Sequence, residues 1–428
     1  MNPIKITLFL ASLTGVILQA QPASADCSWT VQGKLTADHM LDTLSNKLGP
    51  GAALKDVEVE VSGKTSGWFN SWGTVRTNDS GVFSITRTKS CADRTFRVKV
   101  KFQNAALEVR HENSTSSTTK VKWYTIIDQS GSHTSGTVNL GERTFRAGGN
   151  HDLGDYEARS HADIWQMYQL ALNHLSGLGF PITGQVAVKY PHDGVTGDSV
   201  EASYVNPTTK IIYIVKNSQK DHLSKSTLLH ELGHRWAYDH VSGEICLTES
   251  LLLDGSTHGL VSDPCVAFHE GFAEFFKNKM GSGIFGDAPH LPYNRAVLKN
   301  MYAPPFDLFI DNIAEMQRFD EGMTSVFHIL TTHDLASYDF LDANTAMNTV
   351  QDEFVEYKGP TPLCTDISLS FADVLAVVDG MTRSEMTIGT LLDRVEAFFP
   401  TINTVYRGLL QNLADPASTA QPTLLLCS

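Results

Sequence analysis

Residues 230–240 read HELGHRWAYDH. His230 and His234 stand four apart, and on an α-helix residues i and i+4 share a face one turn apart, so two imidazole nitrogens can point at one ion. Glu231 then falls beside that ion rather than on it, where a carboxylate can take a proton from water. Leu232 and Gly233 are uncharged, as suits a helix buried under a reactive floor. The spacing predicts a metal centre, with a general base next to it. Catalytic zinc sites take three protein ligands and keep a fourth position open, so one ligand must come from elsewhere.

Two residues compete for that place. His240 follows on the same segment, at the spacing of the third histidine in the metzincin pattern HExxHxxGxxH, but Ala237 stands where that pattern has glycine. Glycine reaches the left-handed region freely, whereas alanine loses about 1–2 kcal/mol there, so the required turn is disfavoured. A helix continued straight to His240 would rotate its ring off the metal face. The second candidate lies in VAFHEGFAEFFKNKM, residues 266–280, where Glu270 and Glu274 are again four apart. Phe268, Phe272, Phe275 and Phe276 predict that this helix is buried rather than a solvated carboxylate face.

HELGH followed by HEGFAEFF resembles the gluzincin metallopeptidases, strongly over about 223–280 and loosely over about 150–400. The resemblance implies a zincin-type fold, a zinc ion held by His230, His234 and Glu270, and Glu274 as the carboxylate that orients a ligand histidine. Two departures are visible: His269 stands where the family usually has asparagine, and 35 residues separate His234 from Glu270. A disulfide between Cys246 and Cys265 can close that excess into a braced loop.

Peptide hydrolysis also profits from a donor to the developing oxyanion. Residues 319–334, FDEGMTSVFHILTTHD, loosely resemble the helix that follows the glutamate helix in gluzincins and carry His328 and His333. His333 is the first candidate for that role and Tyr302 the second. By analogy with the same fold, KIIYIV at 210–215 is expected to be the edge strand on which an extended peptide pairs, with Tyr213 either there or in the core.

Elements elsewhere in the chain of 428 residues must position this site. Residues 1–25 hold Lys5, a short apolar stretch and ASA at 23–25, the pattern of a secretory signal cut after Ala25. The mature protein is expected to be secreted or periplasmic and not inserted in a membrane. Between about 50 and 127 the pattern alternates with period two, in VEVEV, GVFSIT, FRVKVKF and KVKWYTII, with turn signals such as TNDSG between. Residues 26–128 are therefore expected to form an all-β sandwich. GAALKDVEVEVSG and GTVRTNDSGVFSI give it a resemblance to transthyretin-like or carboxypeptidase-regulatory-like accessory domains.

The polar, glycine-containing stretch 129–155 is the candidate linker. After it, 156–428 reads as an α+β, mainly helical metallopeptidase domain. HADIWQMYQLALNHL places Ile164, Met167, Leu170, Ala171 and Leu175 on one helical stripe, QVAVKY and KIIYIV read as strands, and the rest is mostly helical, including TIGTLLDRVEAFF. Six cysteines form an even set, and sequential pairing, Cys27–Cys91, Cys246–Cys265 and Cys364–Cys427, keeps each bridge within one region.

The formal charge of −14 argues against nucleic acid or an anionic surface as partner. The function expected from all this is zinc-dependent hydrolysis of peptide or protein substrates, as an endopeptidase, since no motif for a free amino terminus is present. Two alternatives stand beside it: an exported binding or adhesion protein with a structural or degenerate zinc site, and a zinc hydrolase of a non-peptide substrate.

Overall fold

The computed structural model describes residues 26–111, 121–146, 156–192, 202–216, 221–241, 246, 263–288, 290, 317–331 and 368–400. The expected signal segment, His333, Tyr302 and the Cys364–Cys427 pair lie outside these residues.

The N-terminal region is all β, as its period-two patterning predicts. Strands β1 (Asp26–Ala37), β2 (Ala52–Ala53), β3 (Glu58–Lys64), β4 (Asn70–Arg76), β5 (Val82–Ser90), β6 (Thr95–Lys101), β7 (Leu107–Arg110), β8 (Tyr124–Ile127) and β9 (Gly136–Phe145) follow one another, with the short helix α1 (Asp42–Leu48) after β1. One sheet runs β2-β1-β5, with β9 also paired to β1, and the other runs β4-β3-β6-β8. Every second residue of β6 is buried, which is the alternation that FRVKVKF displays. Between the sheets Trp29, Trp72 and Phe96 pack edge to face, with ring centroids 4.8–6.2 Å apart. The TNDSG turn closes because the Asn78 side chain accepts from the amides of Ser80 and Val82. Gly81 there has φ +75°, and a Cβ would stand 2.3 Å from the Leu35 carbonyl, so only glycine fits. Cys27 and Cys91 are bridged, joining β1 to the residue after β5.

The expected linker is not one throughout. Residues 136–145 form β9, parallel to β1 over Trp29–Ala37, because Val138 and Phe145 have apolar positions to fill in the sandwich core. The expected boundary is also crossed in the other direction. Helix α2 (Tyr156–Gly177) buries Ile164, Met167, Ala171 and Leu175 of its expected stripe and leaves Leu170 half-buried. It docks on the sandwich through Trp165, whose indole donates to the Lys55 carbonyl at 3.0 Å. Asp163 accepts from the amides of Met40 and Leu41 and makes a buried pair with His39 at 2.7 Å.

Strands β10 (Val186–His192), β11 (Tyr204–Val205) and β12 (Ile212–Val215) complete a mixed sheet of order β11-β12-β10-β7. KIIYIV therefore does not lie at the edge: β12 runs parallel to β10 on one side and antiparallel to β11 on the other, and β11 takes the edge. The described remainder is helical: α3 (Lys225–His240), α4 (Pro264–Phe285), α5 (Asp320–Leu330), α6 (Phe371–Val378) and α7 (Ile388–Phe398), with a 3₁₀ turn at Arg383–Glu385. No helix among the described residues is long and apolar enough to cross a membrane.

Candidate metal centre

Helix α3 starts where Ser224 accepts from the Thr227 amide at 3.1 Å, a side-chain cap on an otherwise orphaned donor. Its buried face runs from Leu228 to Ala237, and the Tyr168 hydroxyl of α2 donates to the Leu228 carbonyl at 3.0 Å, fixing the helix against the molecule. Helix α4 starts with Asp263 accepting from the Cys265 amide, has Pro264 in its first turn, and ends at Gly286 in the left-handed conformation. The two helices cross closely because Gly233 faces Ala273: a Cβ on Gly233 would lie 3.0 Å from the Ala273 Cα. The uncharged residue inside HELGH is thus a packing requirement as well as an absence of charge.

That crossing brings the separated residues together. His230 Nε2 and His234 Nε2 are 3.1 Å apart, and each is 3.3 Å from Glu270 Oε2. All three side chains are buried. A tetrahedral ion with bonds of about 2.0–2.1 Å spaces its ligands about 3.3–3.4 Å apart, so the triangle fits one ion without rearrangement. The donor set also fits: two imidazole nitrogens and one carboxylate are a common catalytic zinc combination. Glu274 Oε1 lies 2.9 Å from His230 Nδ1 and its other oxygen pairs with Lys277. That carboxylate is within reach of an Nδ1 proton, an arrangement that leaves the Nε2 lone pair for an ion.

The electrostatics follow from this clustering. Burial pushes His230 down, but its contacts with Glu270 and Glu274 and the charge of Glu231 outweigh it and lift the imidazole to about 10. Burial raises Glu270, yet the two histidines hold its carboxyl well below the usual range. Glu274, where burial also opposes, is held at about 2 chiefly by His230. His269 is the opposite case: burial, helped by His234, lowers it to about 4. Its ring faces Tyr238 rather than the triangle, at 5.7 Å between centroids.

His240 is not brought into the site. Helix α3 continues to it, as Ala237 favours, and its ring stacks on Trp236 at 4.3 Å. Its Nδ1 is 3.2 Å from Asp379 and its Nε2 donates to the Pro181 carbonyl at 3.0 Å. Cys246 and Cys265 are bridged, with the Met386 sulfur packed against both. Their sulfurs also group with His269 at ligand distances, but sulfurs joined to each other are not thiolate ligands. The two bridges among the described residues belong to an oxidising compartment.

Glu231, next to His230 in the chain, is buried. His328 in α5 sits apart, against Asn278 and the Phe275 ring, where burial, His290 and Lys279 depress it to about 2. Tyr238 is a residue that the sequence motifs do not single out. It lies one turn beyond His234, and its hydroxyl is buried with no hydrogen-bond partner among the described residues. Burial first, then the charges of Glu270 and Glu231, hold that phenol well above its ordinary range. The signal was helical periodicity, which puts residue 238 on the stripe of 230 and 234.

The sequence matches no protein-family model and no curated protein. Among solved structures, a 9R-lipoxygenase from Cyanothece PCC8801 overlays at 14% identity, covering 35% of this chain and 23% of that chain with a TM-score of 0.18. A likeness that slight carries no argument about fold or function.

Proposed function

We propose that the protein is an exported, zinc-dependent endopeptidase of the gluzincin type, with a zincin-like catalytic region formed by 156 onward together with β7. The observation that carries this reading is the buried triangle of His230, His234 and Glu270, buttressed by Glu274 at 2.9 Å from His230. A bound zinc ion supplies Lewis acidity to the scissile carbonyl and acidifies a water. Glu231 accepts the proton of the attacking water and delivers it to the leaving amine. Glu274 keeps His230 in the tautomer and orientation that ligation needs, and Lys277 holds Glu274 in turn. Gly233 and Ala273 set the helix spacing on which all of this depends.

A structural zinc site has four protein ligands and no open position. Here His240, the residue that would have closed it, is occupied by Asp379 and Pro181, so the reading as an adhesion protein with a closed site loses its fourth ligand among the described residues. The test is a peptide-library digest by the zinc-loaded protein, with and without chelator, beside Glu231→Gln. Chelator-sensitive cleavage that Glu231→Gln abolishes at full zinc occupancy is expected. Full activity in that variant refutes the assignment of Glu231, and intact peptides with a zinc-loaded wild type favour a non-peptide substrate.

A further inference from the structure

Resting on the peptidase reading, we infer that the Tyr238 hydroxyl is the hydrogen-bond donor to the oxyanion that develops on the scissile carbonyl. The role was expected from His333 or Tyr302; the geometry points to the motif helix itself.

The argument begins with helix geometry. Residue 238 is seven beyond Glu231 and four beyond His234, so on an ideal helix it returns to within about 20° of the direction of Glu231 and about 40° of that of His234. Side chains on a helix lean toward its N-terminus and cover the preceding turn. The phenol of Tyr238 therefore reaches back over the turn that carries His234, on the side where Glu231 lies. The ring lies beside that of His269, with centroids 5.7 Å apart and planes inclined at 33°.

Among the described residues the hydroxyl ties down no other group of the fold. It is buried, and among the described residues nothing accepts from it or donates to it. Phenols buried without a partner are uncommon because desolvation is left uncompensated. The neighbours that act on it electrostatically are Glu270, a corner of the triangle, and Glu231, the base. Both keep the phenol protonated, which is the state a donor requires. A preorganised donor in a dry site, unsatisfied in the resting protein and satisfied as negative charge appears on the substrate oxygen, lowers the barrier without stabilising the ground state.

The test is Tyr238→Phe, which keeps the ring on His269 and removes only the hydroxyl. In the zinc-loaded protein kcat should fall about 100-fold with KM within about twofold, while zinc content and melting temperature stay at wild-type values. A kcat within threefold of wild type overturns the inference, as does loss of zinc, which would make Tyr238 a ligand and not a donor. A second readout needs no turnover: acetohydroxamate is titrated into the cobalt-loaded protein and followed in the visible spectrum. Tyr238→Phe should bind it about tenfold more weakly, and unchanged affinity overturns the donor role. Should wild type cleave no peptide while that weakening is still seen, the peptidase reading fails and the donor at this site stands.

Discussion

Replacing Gly271 with alanine should both loosen the fold and weaken metal binding, and the size of the effect follows from three atoms. Gly271 adjoins Glu270 in α4 and faces α5. A Cβ there would stand 2.5 Å from the Met323 Cβ, 2.7 Å from the Asp320 carbonyl oxygen and 2.8 Å from the Thr324 amide nitrogen. Carbon atoms are in comfortable contact from about 3.5 Å, so α5 would have to retreat by about 1 Å. Two of the three atoms are backbone, and no rotamer change relieves the clash. Overpacking of this kind costs about 1–3 kcal/mol, and alanine's better helix propensity returns at most about 1 kcal/mol. The net loss should be about 1–2 kcal/mol in denaturant titrations of the metal-free protein. Because Glu270 is the neighbouring residue, the triangle should open and zinc affinity fall about tenfold. Gly177→Ala at the end of α2 is the control, since nothing lies within 4 Å of its Cβ. The reasoning is refuted if Gly271→Ala unfolds at the wild-type midpoint, or if Gly177→Ala loses as much.

Zinc stoichiometry in Glu270→Ala and His240→Ala separates the two candidate third ligands: loss is expected only in the former, and loss only in the latter would reverse the assignment. Glu274→Gln should retain zinc in excess metal but bind it about 10–100-fold more weakly in a chelator competition, the usual cost of removing a carboxylate behind a ligand histidine. Zinc affinity should rise about tenfold per pH unit between about pH 6 and 9, because metal-free His230, at about 10, carries a proton that the ion must displace. A flat profile would contradict that. The same raised value stabilises the metal-free fold fully below the ordinary histidine value of 6.5, and this contribution is lost as pH rises through about 10; thermal melts across that range check it.

Local periodicity made part of this legible. The strands β3, β5, β6 and β8 declare themselves because one face of each is buried, and His230, Glu231 and His234 do so because a single helical turn relates them. Glu270 needed a resemblance, since nothing local ties it to a histidine 36 positions earlier. The exclusion of His240 was foreshadowed by Ala237, whereas its actual partners, Asp379 and Pro181, come from segments that only the tertiary fold brings near. β9 read as a linker because its outward side is polar and its glycines suggest turns; its partner strand is 108 residues away, at Thr36 for Thr144. The edge position assigned to KIIYIV failed on β11, which at two residues is too short to leave a pattern. Tyr238 lay on the right stripe, but an aromatic at helical spacing reads first as core.

Strand β7 belongs by sequence to the sandwich, yet it pairs in parallel with β10 over Leu107–Arg110 in the other sheet. The two halves of the chain are therefore not beads that can be cut apart at residue 155. A fragment beginning there would lack the neighbour of Val186–Lys189 and expose those amides and carbonyls as an unprotected edge, an invitation to intermolecular pairing. Shuffling the helical region onto another partner would have to carry four residues of the supposed accessory domain along with it. In this molecule the N-terminal region is a structural co-owner of the sheet that lies behind the metal-binding helices.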